Sequence, residues 1–186
     1  LKDLRALLGG KPERDALPRP DLSDQRKSSA TVGAERQRCL AAILLRHPTL
    51  LRDVAEAWGQ LDLPTAAGGL RSAVLDWFHA ADQLDSASLL DHVRDSGFAD
   101  DVARVLSAAP MPLPDCAAAA ATPAEAEAGW WELFGLSRPD RLDQELAEAR
   151  DAFAAHSDER LQRRLTALAI ARNALRRGEV ERETDV

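Results

Sequence analysis

The stretch RLDQELAEARDAFAAHSDERLQRRLTALAIARNALRR, residues 141–177, decides the fold. Leu142, Leu146, Ala149 and Phe153 recur at helical spacing, and Leu161, Leu165, Leu168, Arg172 and Leu175 do so again. Each set is a heptad-like seam, the pattern two packed helices present to each other. Little more than His156 and Ser157 separates the seams, so the arms must turn back on each other as an antiparallel hairpin. Acidic residues Glu145, Glu148 and Asp151 mark the first arm, and Arg160, Arg163, Arg164, Arg172, Arg176 and Arg177 the second. Pairing across the hairpin is the expected role of that charge, at under about 1 kcal/mol for each exposed pair, and partner recognition is the alternative, because arginine is favoured at interfaces.

Upstream, Thr122-Pro123-Ala124-Glu125 reads as a capping box with proline at the first helical position. The helix it opens brings Trp130, Leu133 and Phe134 together, and Gly135 and Pro139 are expected to kink it, with Ser137 as a new N-cap. Before it, the prolines at 110, 112 and 114 exclude helix. From Thr31 to Leu106 the spacing predicts five short helices. Leu40, Ile43, Leu44 and His47 share a face of the first, and His47-Pro48 opens the second, with Leu51, Val54 and Trp58. Breaks are expected at Gly59 and at Gly68-Gly69. Leu70, Val74, Trp77 and Phe78 then give an aromatic third helix, expected to be central. Asp85 or Ser86 caps a fourth that ends near Gly97, and Phe98, Val102, Val105 and Leu106 describe a fifth.

Residues 11–30, KPERDALPRPDLSDQRKSSA, have three prolines and scattered charge. The organisation that follows is all-α: a linker over 1–30, a helical bundle over 31–136, a helical hairpin over 137–178 and a fraying tail over 179–186. Strand-favouring residues are scarce, with no Tyr among the 186 residues.

The net charge is −7, and only three of the 24 cationic residues are Lys. No segment is a basic footprint of the kind phosphate binding needs, so direct nucleic-acid binding is not expected. No run is long and apolar enough to span a bilayer, and the N-terminus lacks the order of a signal peptide. The expectation is a cytoplasmic fragment, monomeric in isolation.

Chemistry-bearing motifs are sparse. There is no phosphate-cradling loop. Asp100-Asp101 and Asp158-Glu159 stand where helices begin, and there they favour the helix dipole. His47, His79, His92 and His156 are scattered, Cys39 and Cys116 form no metal-ligand spacing, and Trp130-Trp131 has no basic stripe around it. Catalytic residues, metal ligands and cofactors are therefore none.

With the helices in order, the stretch from about Arg36 to Arg177 resembles the C-terminal domain of bacterial DNA primase. The segment ERQRCLAAILLRHPTLLRDV (35–54) is similar to that family's opening helices, LDSASLLDHVRDSG (84–97) to its fourth helix, and EARDAFAAHSDERLQRRLTAL (148–168) to its terminal hairpin. The chain departs from the family at GLSRPD (135–140), where relatives tend to a more continuous helix. The resemblance implies a non-catalytic docking domain that binds the N-terminal domain of the hexameric replicative helicase through the hairpin. On it Phe153, Arg164, Leu168, Arg172, Leu175 and Arg176 are the expected contacts. The rivals are the helicase's own N-terminal domain, another helical adaptor, and a small helical enzyme, which the lack of clustered His, Cys or carboxylates disfavours.

Overall fold

A computed structural model describes the backbone of residues 22–61, 65–108 and 111–184. Every regular element in them is helical: α1 Leu22–Arg46, α2 Leu51–Gly59, α3 Thr65–Ala80, α4 Ser86–Val93, α5 Ala99–Leu106, α6 Pro123–Ser137, α7 Pro139–Ala155 and α8 Glu159–Thr184. The fold is all-α. Residues 1–32 and 33–186 fall into two units; the described part of the first is the opening of α1, and the core belongs to the second. The reading of residues 1–21 as linker lies outside the described residues.

The seven consecutive residues Cys39 to Leu45 are all buried. A helix that is apolar on every side has neighbours on every side, so the C-terminal half of α1 is the central element. That corrects the expectation that α3 is central: Trp77 is buried, but Phe78 is half-exposed. Residues 22–30, read as part of a linker, are helical, since LSDQRKSSA contains no proline or glycine to stop a helix. At the other end α8 continues through the expected tail to Thr184.

Arginines on α1 and α3 tie off the ends of neighbouring segments. Arg38 donates to the carbonyls of Val105 at 3.1 Å, Ser107 at 2.6 Å and Met111 at 2.6 Å, where α5 ends and the proline segment begins. Arg46 donates to Ala117 O at 2.6 Å, and Arg71 to the carbonyls of Trp58 and Leu61 at the end of α2. Each guanidinium satisfies carbonyls that a helix end or a turn leaves open.

Local signals held in some places and failed in others. Asp85 caps α4 through Ser88 N, and Thr122 with Glu125 forms the reciprocal capping box. Gly97, at φ 91°, sits in the left-handed region that lets the chain turn between α4 and α5. His47-Pro48 opens a 3₁₀ turn, Pro48–Leu50, ahead of α2. Gly68-Gly69 lies inside α3 and does not end it. A side chain at Gly69 would meet the Phe98 ring at 2.8 Å, so glycine there permits close packing. Ser137 does not cap α7: its hydroxyl donates back to Leu133 O, and Arg138 is the N-cap.

The chain does not divide at residue 137. Helix α8 packs along both α6 and α7, and residues 33–186 form a single unit. Two packed helices bury only their facing seams; here α6 covers α8 from a second side, and Leu168 and Leu175 join the common core. Gly135 makes this possible, because a Cβ there would meet Leu142 Cδ2 at 2.7 Å and Leu175 Cδ1 at 2.9 Å.

Candidate functional site

The α6 stripe that faces the interior runs Glu127, Trp130, Trp131 and Phe134 at i, i+3, i+4, i+7, and all four side chains are buried. Trp130 stacks on Phe134 with centroids 5.3 Å apart, and Trp131 stands edge-on to both. An acid in such a stripe must find a cation or lose its charge. Glu127, at 0% exposure, accepts from Arg163 Nε of α8 at 3.1 Å. Asp53 of α2 occupies the same kind of place, on the buried face with Leu50, Val54 and Ala57, and lies 3.3 Å from Arg160 Nη1.

A third pair completes the cluster. Arg164 donates to Glu145 Oε2 of α7 at 2.6 Å, and its guanidinium carbon lies 5.8 Å from the Trp131 ring centroid. Three carboxylates from three helices thus converge on three arginines, Arg160, Arg163 and Arg164, within the first two turns of α8. Burial pushes the acids of Asp53, Glu127 and Glu145 above the usual carboxylate range, against the pull of the arginines; at Glu127 the charge of Asp53 adds to the rise. Asp53 Oδ1 and Glu127 Oε1 each lack a hydrogen-bond partner.

The cations sit outward of the acids they serve. Arg160 and Arg163 are 48% and 38% exposed at the side chain, whereas Asp53 and Glu127 are 4% and 0%. Arg163 also lines a surface groove of about 400 Å³ between α6 and α8, with Ala124, Ala128, Glu159, Gln162, Thr166, Ala167 and Ile170. Ile170 is 52% exposed, which makes it one of the few large apolar side chains left open among the described residues.

No protein-family model, curated protein or solved structure matches this chain.

The six expected contact residues are scattered by the fold. Leu168 and Leu175 are buried, because α6 covers the side of α8 that a bare hairpin would leave open. Arg172 faces Asp143 of α7, with Nε 2.5 Å from Oδ1 but without hydrogen-bond geometry, and Arg164 belongs to the buried cluster. Phe153 is half-buried, and Arg176 is exposed. The residues left to face outward on α8 form a different stripe, Arg163, Thr166, Ile170, Asn173 and Arg177.

Sequence reasoning passed over Asp53 and Glu127. Their signal was present: each is an acid at the i, i+3, i+4 position of an apolar stripe. Among the described residues there is no group of three His, Cys, Asp or Glu able to hold a metal ion, and no helix is long and apolar enough to cross a membrane.

Proposed function

We propose that this chain is the helicase-binding domain of a bacterial DNA primase, which docks on the N-terminal domain of the replicative helicase and carries no catalysis of its own. The observation that carries the reading is the outer stripe of α8. Ile170 stands half open beside a groove walled by Ala124, Ala128 and Ala167, with Arg163 on the same wall and Arg177 further along the stripe. Exposed apolar surface flanked by arginine is the composition of a protein interface. The order of helices and the resemblance of residues 35–54, 84–97 and 148–168 to the primase domain supply the identity of the partner.

On this reading the contact moves from the seam residues Leu168 and Leu175 to the stripe centred on Ile170, with Arg176 beside it. Capture of the purified helicase N-terminal domain by the immobilised chain is the test. Capture is expected, and Ile170→Asp should abolish it with the helical content intact. The chain supplied with template, nucleotides and divalent metal should make no primer; synthesis would overturn the non-catalytic reading.

A further inference from the structure

We propose that Asp53 and Glu127 form a proton-operated switch on the groove between α6 and α8: proton uptake by the pair releases Arg163 and Arg160, and the groove becomes a docking point for an apolar partner segment that carries an anionic group. The proposal rests on the docking role given above and adds its regulation.

The geometry is a division between inside and outside. Glu127 is wholly enclosed, and its Oε2 takes the Nε of Arg163, whose head also forms part of the groove wall. Asp53 is enclosed in the same way and faces Arg160. While the acids are ionised, both arginines are held by charges beneath them and offer little to an anion outside. A proton from solvent can settle on Glu127 Oε1 without displacing a hydrogen bond, since that oxygen accepts none, whereas Asp53 Oδ1 is the oxygen 3.3 Å from Arg160 Nη1, so a proton there breaks that ion pair directly. The acid is then neutral, and the guanidinium keeps its charge at any relevant pH.

The surrounding charges set the direction. Helix α2 contributes Arg52 near Asp53 and Glu56 near Glu145, α6 contributes Glu127, α7 contributes Glu145 and Glu148, and α8 contributes Glu159, Arg160, Arg163 and Arg164. Burial, and after it the repulsion between Asp53 and Glu127, favours a first proton above the ordinary carboxylate range. Arg164 stays with Glu145, so the charge released in the groove is that of Arg163, with Glu159 on the same lining; Arg160 is released outside that lining. The apolar part of the occupant lies on Ile170, Ala124, Ala128 and Ala167, and its anion on Arg163.

Anilinonaphthalene sulfonate is a suitable probe, an apolar body with an anion that does not titrate in this range. Its fluorescence-detected affinity for the full chain should be roughly fivefold tighter just above the ordinary carboxylate range, at about pH 5, than at about pH 8, the worth of one exposed ion pair. Glu127→Gln should bind tightly at both values, Arg163→Ala weakly at both, with the near-ultraviolet dichroism of the tryptophans unchanged across the range. Should Glu127→Gln fail to fold, Asp53→Asn, which removes the repulsion that adds to the rise at Glu127, is expected to move the pH dependence to lower pH. Equal affinity at the two pH values in the wild type, pH dependence that survives in Glu127→Gln or is unmoved in Asp53→Asn, or tight binding at low pH only with the tryptophan signal lost, overturns the switch. Failure of helicase capture with this pattern intact removes the partner and leaves the switch standing.

Discussion

At the scale of single residues, two small features hold the C-terminal helices together. Gly135 lets Leu142 and Leu175 meet across α6, and both leucines are too enclosed to swing away from an added methyl. Gly135→Ala should cost about 1–3 kcal/mol, as overpacking does, read as a fall in the urea midpoint with unchanged slope; an unchanged midpoint would mean the helices have slack. The Glu127–Arg163 pair should respond asymmetrically. Arg163→Met leaves an enclosed acid without its donor and should destabilise by about 1–3 kcal/mol. Glu127→Gln leaves a half-exposed guanidinium that water can satisfy, and should be close to neutral. Equal losses in both variants would contradict the inside-outside division.

At the scale of elements, the two seams of residues 142–153 and 161–175 were legible because heptad spacing depends only on local sequence, and Leu142, Leu146, Ala149, Leu161, Leu168 and Leu175 are all buried. The capping box at Thr122 and the proline segment were legible for the same reason. What covers the second side of α8 was not, since the match of α6 to α8 is a tertiary fact that no window of sequence contains. The uninterrupted apolar run Cys39 to Leu45 did announce a surrounded helix, but reading it as one face of an amphipathic helix hid that. Gly68-Gly69 misled because a glycine pair marks a turn and a close helix contact equally well. The shared core makes a prediction against separability. Residues 1–137 alone, without α7 and α8, expose Trp130, Trp131 and Phe134 and should lose near-ultraviolet dichroism and cooperative unfolding; a cooperatively folding fragment would restore the two-part division.

At the scale of the whole molecule, the buried acids set how stability follows pH. Asp53, Glu127 and Glu145 all have folded-state values raised above the ordinary range, so the folded chain binds protons more readily than the unfolded one. Their contribution to stability is complete below the ordinary carboxylate range and is lost as pH rises through the folded values. Glu125 and Asp140, lowered by Thr122 and Arg138, act oppositely, and only at lower pH. Between neutrality and the ordinary carboxylate range the melting temperature should therefore rise on acidification, less so in Glu127→Gln; a steady fall over that window would mean the acids are stabilised as anions. The central claim is docking, and calorimetric titration of the chain with the helicase N-terminal domain tests it most directly. The account predicts saturable binding by the wild type, weakened about tenfold or more by Ile170→Asp and unaffected by Arg150→Ala on the exposed face of α7. No heat of binding from the wild type, or full affinity in Ile170→Asp, would contradict it.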